Sequence, residues 1–288
     1  MSRIAYVNGR YVPHGEASVH VEDRGYQFAD GVYEVVAVVG GKLIDEDPHL
    51  DRLDRSLREL RIAPPMGRAA MKVVMRELLR RNGIRNGIIY IQATRGVARR
   101  DHPFPKDAAT ALVMTVARKA PPSAAILDTG VKAKSVPDIR WGRCDIKSVS
   151  LLPNILAKQA AREAGAYEAW LVDEKGCVTE GSSTNAWIVT RDGELVTRPL
   201  GNEILSGITR LSIKKLVEQG GIRMVERPFT LDEAKSAREA FVTSATSFVT
   251  PVVQIDDAII GNGKPGSVAR RLFEAYLAYM DGEGASAA

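Results

Sequence analysis

The sequence predicts a mixed α+β fold in two domains, and three observations carry that prediction. Strand and helix signals follow one another without the strict alternation of a doubly wound sheet. The chain's 288 residues, 45% of them hydrophobic, can bury more than one ordinary core. Near the middle, Pro121-Pro122 and the small residues of KAPPSAAILDTG interrupt the pattern with no periodicity of their own. The expected organisation is a small N-terminal α/β domain over residues 1–118, a linker over 119–124 and a larger C-terminal α/β domain over 125–288.

The elements follow in order. Asn8-Gly9 between apolar stretches in IAYVNGRYVP is a strong hairpin signal, and YEVVAVVGGKLI repeats the pattern around Gly40-Gly41. Leu50, Leu53, Leu57 and Leu60 recur at helical spacing, and MKVVMRELLRRNG reads as a second helix ending at a glycine. GIIYIQATRG and ATALVMTVARK read as buried strands. Beyond the linker come the strand VKAKSV, the helix NILAKQAAREAG, the strand AYEAWLVD, a turn at Glu174-Lys175-Gly176, and the strands NAWIVT and RDGELVT. The helix GITRLSIKKLVEQGG, the strand MVERPF, the short helix LDEAKSA, the strand EAFVTSA and the helix VARRLFEAYLAYM complete the chain, with GEGASAA as a disordered tail.

Composition excludes several classes. No run of eighteen apolar residues marks a membrane span, and the opening MSRIAYVNGRYV has no apolar core of a signal peptide, so a cytoplasmic protein is expected. Two cysteines cannot build a disulfide framework, and neither they nor the four scattered histidines show zinc spacing, so no structural metal is expected. The net charge of +5 is spread among acids, as in HLDRLDRSLRELR, which describes a solvated surface rather than a nucleic-acid interface. A few arginines aimed into a cleft would still suit a small carboxylate or phosphate.

Candidate chemistry lies in the second half. In RCDIKSVSLLPN, Lys147 stands between apolar stretches and reads either as a surface lysine on a loop or as an amine held out of water for chemistry, and by itself it does not decide between the two. Downstream, VTEGSSTN carries Glu180 in a turn, LSGITR leads into a helix, and TSATSFVTP is a hydroxyl-rich loop closing a strand. An amine for a Schiff base, a carboxylate for a pyridine nitrogen and N–H groups at a helix start are the parts of a pyridoxal 5′-phosphate site.

The order KSVSLLPN, EGSSTN, SGITR, TSATSFVTP, with VNGRYV and DRGYQFADGVYEVV before it and TPVVQIDD after, resembles the fold-type IV aminotransferases over nearly the whole chain, and among them the D-amino acid aminotransferases most closely. The resemblance implies a larger C-terminal domain of pseudo-barrel form that holds the cofactor. It implies that Lys147 binds the cofactor's aldehyde and moves the substrate proton, for which its amine must be neutral, and that Glu180 faces the pyridine nitrogen. Ile208 and Thr209 would offer N–H groups to the phosphate, Arg52 would add charge, Ser244 would be a further contact and Thr246 a helper. Two features stand apart: Arg52 lies off the leucine stripe of its helix and by sequence faces solvent, and Ala245 replaces the family's hydroxyl residue.

In TRGVARRDHPFP, Arg100 and His102 match an Arg-x-His trap for the substrate α-carboxylate, completed by a tyrosine matching Tyr33. Fixing that carboxylate on one side of the cofactor fixes which Cα–H bond stands perpendicular to the ring. The resemblance further implies a homodimer in which this loop reaches the neighbouring active site, and ping-pong transfer of an amino group from D-alanine or D-glutamate to a 2-oxo acid. A branched-chain L-amino acid aminotransferase or an aminodeoxychorismate lyase would keep the same lysine and glutamate; the Arg100–His102 pair and Leu151–Asn154 favour the D-specific reading. A non-catalytic anion-binding protein of the same fold would have no need of Lys147 and Glu180.

Overall fold

The computed structural model describes residues 3–120 and 123–282, so Pro121-Pro122 of the expected linker and residues 283–288 of the expected tail lie outside it. The chain divides into two compact units, residues 1–121 with 146–150 and residues 122–145 with 151–288.

The first unit begins with strands β1 (Ile4–Val7) and β2 (Arg10–Pro13). Asn8 and Gly9 between them both have positive φ, 44° and 92°, the conformation that a two-residue hairpin turn demands. Helix α1 (Arg24–Phe28) follows, its first turn capped by Asp23, whose carboxylate accepts from the Gly25 N–H. Then come β3 (Gly31–Val39), β4 (Lys42–Leu43), α2 (Glu46–Glu59), α3 (Arg68–Asn82), β5 (Gly87–Thr94) and β6 (Ala111–Arg118). Among the described residues the strands form one antiparallel sheet in the order β2-β1-β6-β5-β3-β4.

Alternation along β3 decides what each face carries. Val32, Glu34 and Val36 point inward, where Leu50, Leu53 and Leu57 of α2 and Met75 and Leu78 of α3 close a core with Ile89 and Ile91 of β5. Each such aliphatic side chain, fully buried, stabilises the fold by about 1.5–3 kcal/mol. Tyr33 and Val35 lie on the opposite face, paired in register with Gln92 and Tyr90.

Residues 146–150 were expected in the second domain but fold with the first unit. Tyr33 N–H donates to the Lys147 carbonyl at 3.0 Å, Val149 N–H donates to the Gly31 carbonyl at 3.0 Å, and Ile146 joins the core. These bonds extend the edge of β3 over a segment too short to register as a strand by sequence pattern.

The second unit contains α4 (Ile126–Thr129), β7 (Val131–Pro137), α5 (Leu152–Glu163), β8 (Glu168–Val172), β9 (Val178–Gly181), β10 (Asn185–Val189) and β11 (Leu195–Thr197). It continues with α6 (Ile208–Gln219), β12 (Met224–Glu226), α7 (Leu231–Lys235), β13 (Glu239–Ser244), β14 (Phe248–Ile255), β15 (Ala258–Ile259) and α8 (Ser267–Asp281). The sheet is mixed, in the order β12-β11-β10-β13-β14-β7-β8-β9 with β15 beside β14. Only three residues, 182–184, join β9 to β10, yet these strands stand well apart in that order. The sheet therefore curls back on itself. Strand β10 is buried along its length and β13 nearly so, with Trp187 of β10 stacked on its cross-strand neighbour Phe241 of β13, ring centroids 5.6 Å apart.

Two local expectations are corrected. Glu180, expected in a turn, lies in β9, because VTEG pairs with β8 and is buried throughout. The stretch TSATSFVTP is not all loop: it turns over residues 245–247 and re-enters the sheet at Phe248 as β14. Among the described residues, no helix is long and apolar enough to cross a membrane.

Candidate active site

In the first unit, β3 holds the candidate residues together. The backbone of Lys147 is fixed by the bond to Tyr33 and by its own N–H, which donates to Ser56 Oγ of α2 at 3.3 Å. Its side chain is half-buried rather than fully withdrawn from water, with Nζ 4.2 Å from the centroid of the Tyr33 ring. Tyr33 stacks on Tyr90 at 5.7 Å, and the Tyr90 hydroxyl donates to Gln92 Oε1 at 2.7 Å. Burial, with the Tyr33 phenol beside it, pushes the Tyr90 phenol up to about 12.

Arg52 does not face solvent. It is buried, and its Nε and Nη2 donate to the two carboxylate oxygens of Glu34 at 2.7 and 2.8 Å. His49 Nδ1 lies 2.7 Å from Glu34 Oε2. Burial alone would raise the Glu34 carboxyl, but the Arg52 charge and hydrogen bonds from Arg52 and His49 outweigh it and hold the group down at about 2. The correction has a physical reason: Glu34 sits at an inward position of β3, and a buried carboxylate requires a partner from the helix packed on it. His49, Arg52 and Ser56, at helical spacing, form a polar strip beside the leucine stripe. The inward acid in GVYEVVAVV was the available signal.

Arg100 and His102 lie in an exposed loop of the same unit. The Arg100 guanidinium stands 4.9 Å from the Phe28 centroid and the His102 ring 5.7 Å from it.

In the second unit, Glu180 is the centre of a fixed set of donors. Arg140 Nη1 makes a very short ion pair with Oε1, while Asn185 Nδ2 and the Leu205 N–H donate to Oε2 at 3.0 and 3.1 Å. Arg140 is itself gripped by Asp138, which accepts from Nε and Nη2 at 2.9 and 2.7 Å and from Thr179 Oγ1 at 2.7 Å. Burial opposes ionisation of both Asp138 and Arg140. Their mutual attraction prevails, holding the Asp138 carboxyl below and the Arg140 guanidinium above their ordinary values. Asp138, Arg140 and Asn185 were not anticipated, since their partners come from different strands and loops.

Helix α6 starts at Ile208 and Thr209, both buried, after Gly207, and among the described residues no side chain caps its first turn. Gly207 is required: a Cβ there would come 1.9 Å from Asn185 Oδ1. The Ser244 hydroxyl lies 2.7 Å from that of Ser247 and accepts the Ser247 and Thr246 N–H groups at 3.1 and 3.4 Å, closing the turn that carries Ala245. Ser244 is thus committed to shaping this turn, in which Thr246 also sits.

Comparison with known proteins covers nearly the whole length of the chain. Residues 31–255 match the family described as Amino-transferase class IV. The chain is 43% identical to a D-alanine aminotransferase of Staphylococcus haemolyticus over 96% of this chain and 97% of that one. Among solved structures, a branched-chain aminotransferase of the thermophilic archaeon Thermoproteus uzoniensis with norvaline superposes with a TM-score of 0.83 at 26% identity, covering 96% of this chain and 94% of the other. The branched-chain enzyme of Escherichia coli gives a TM-score of 0.89 at 24% identity, over 96% and 94% of the two chains, which speaks to fold alone.

Proposed function

The chain belongs to the class IV aminotransferases, and from that premise we propose that it is a pyridoxal 5′-phosphate-dependent D-amino acid aminotransferase, moving the amino group of D-alanine or D-glutamate to a 2-oxo acid by a ping-pong cycle. The observation that carries the D-specific reading is the exposed pair Arg100 and His102. Among the described residues no hydrogen bond or ion pair occupies the Arg100 guanidinium or the His102 ring, so their donors are open to a carboxylate.

Within each unit the donors suit parts of the cofactor: in the first, Lys147 offers a primary amine and Arg52 a guanidinium oriented by Glu34; in the second, Glu180 offers a carboxylate held by Arg140, Asn185 and the Leu205 N–H, and α6 an N-terminus that no side chain caps among the described residues. When bound, the cofactor supplies an aldehyde that exchanges amines and a ring that delocalises the electron pair left as the Cα proton departs. Lys147 would hold that aldehyde and would take up the proton at Cα. Glu180 would face the pyridine nitrogen and favour its protonated form, with its carboxylate held in place by Arg140, Asn185 and the Leu205 N–H. Ile208 and Thr209 N–H groups, Arg52 and the Ser244–Thr246 turn are the residues that would hold the phosphate. Tyr33, Arg100 and His102 grip the substrate carboxylate, and the grip selects the enantiomer.

The proposal includes a homodimer, in which the Arg100–His102 loop reaches the neighbouring subunit's site, and a cytoplasmic location. The exposed Leu152, Ile155 and Leu156, side by side on α5, support association. It also includes the two-domain organisation about residues 119–124.

Mixing the holoenzyme with D-alanine or L-alanine separately tests the reading. D-alanine is expected to convert the visible absorbance of the lysine-bound cofactor to that of the amine form, with L-alanine much slower. Conversion by the L-enantiomer alone would overturn the D-specific reading and favour the branched-chain L-amino acid reading, which the likeness to the Thermoproteus uzoniensis enzyme supports.

A further inference from the structure

We infer that Arg24 and Phe28 of α1 are positioning residues that preset Arg100 and His102 for a substrate carboxylate, an inference that rests on the transaminase reading above. Three observations within the first unit lead to it. Arg24 is buried, and its Nη1 and Nη2 donate to the backbone carbonyls of Asp101 and His102 at 2.6 and 3.2 Å. Those two carbonyls bracket the loop at the point where the trap residues stand. Phe28 is the shared platform: the guanidinium carbons of Arg24 and Arg100 lie 4.7 and 4.9 Å from its centroid, and the His102 ring lies 5.7 Å from it at an interplanar angle of 48°.

The platform is itself anchored. Arg24 Nε donates to Asp30 Oδ2 at 2.9 Å, and the same carboxylate takes Arg95 through Nε at 2.7 Å and Nη2 at 3.0 Å. Arg95 in turn lies 3.6 Å from the centroid of Phe104, further along the loop. One partly buried carboxylate thus ties two arginines that reach two points of an otherwise exposed segment. Among the described residues the Arg100 and His102 side chains gain direction only from their contacts with the Phe28 ring, so their donors stay open while their rotamer freedom is reduced. Preorganisation of this kind strengthens binding by lowering the ordering cost that a mobile arginine would bring. It acts on carboxylate binding, before and after chemistry alike, and leaves the proton transfer at Lys147 untouched.

The test uses the holoenzyme and the variants Phe28→Leu and Phe28→Tyr, with Arg24→Met as a third. Phe28→Leu is expected to raise the KM for D-alanine and the inhibition constant for propionate together, by about fivefold, as loss of a cation–π platform implies. The kcat is expected to stay within about twofold, the sign of uniform binding lost. The half-reaction with ethylamine, which has no carboxylate, is expected to keep its rate, and Phe28→Tyr to keep wild-type constants throughout. Arg24→Met, if folded, is expected to match or exceed the loss in Phe28→Leu. Should it fail to fold, the two Phe28 variants decide alone. Unchanged constants in Phe28→Leu, a fall in kcat at constant KM, or an equal loss with ethylamine would overturn the inference. Failure of the transaminase reading is distinct: the wild-type spectrum would then not respond to D-alanine at all.

Discussion

The ε-amino nitrogen of Lys147 lies 4.2 Å from the centroid of the Tyr33 ring, and the two residues are joined again through the backbone by the Tyr33 N–H and the Lys147 carbonyl. The amine is therefore held to β3 twice, once by its main chain and once by an aromatic face. Substituting Lys147→Ala is expected to reduce turnover by about 10⁴-fold, while equilibrium unfolding changes little and cofactor is still captured without a covalent link. Borohydride reduction followed by peptide mass analysis checks it: wild-type protein retains the cofactor on the peptide containing Lys147, and the variant retains none.

Glu34 is expected to act on phosphate affinity through Arg52. In Glu34→Gln the guanidinium loses its charged partner, so affinity for pyridoxal 5′-phosphate should fall at least tenfold, roughly the value of one charge-assisted hydrogen bond. Affinity for pyridoxal, which has no phosphate, should not change. Fluorescence titration of apoprotein with both compounds makes the comparison, and an equal loss for the two would rule out a phosphate-directed role.

The same carboxylate gives a pH dependence. Its pKa in the folded protein is depressed to about 2 from 4.5, so its contribution to stability is present above about pH 4.5 and disappears as pH falls toward 2. The contribution is on the order of a few kcal/mol, each pKa unit being worth about 1.4 kcal/mol. Urea unfolding of wild type and Glu34→Gln at a series of pH values should show the stability gap closing across that window, and a gap independent of pH would exclude this origin.

Gly207→Ala is expected to disturb the carboxylate of Glu180 without touching it. The added Cβ would meet Asn185 Oδ1 at 1.9 Å, and Asn185 Nδ2 is one of the donors to Glu180 Oε2. Comparison with Glu180→Gln separates chemistry from packing: Glu180→Gln should lower kcat on the order of a hundredfold with cofactor still bound, whereas Gly207→Ala should also weaken cofactor retention on dialysis.

Arg100→Ala is expected to raise the KM for D-alanine ten- to a hundredfold, about the range of a charge-assisted hydrogen bond, with a smaller effect on kcat. Steady-state kinetics at several D-alanine concentrations measures it, and unaffected turnover would mean that the carboxylate is held elsewhere.

What the sequence determined by itself was local. Asn8-Gly9 set a hairpin and the leucines of DPHLDRLDRSLREL set a helix face, because each depends on residues close together in the chain, while the KSVSLLPN, EGSSTN and SGITR blocks in their order carried the resemblance that implied the chemistry. Tertiary structure decided what those residues meet. Arg52 looked solvent-facing until β3 placed Glu34 opposite it, and Glu180 looked like a turn residue until β8 paired with its segment. Arg140 and Asp138 could not be linked to Glu180 from sequence, since about forty residues separate partners that the curled sheet brings within hydrogen-bond reach. A short motif carries its own chemistry, but a buried charge is defined by its partner, and the partner is chosen by the fold.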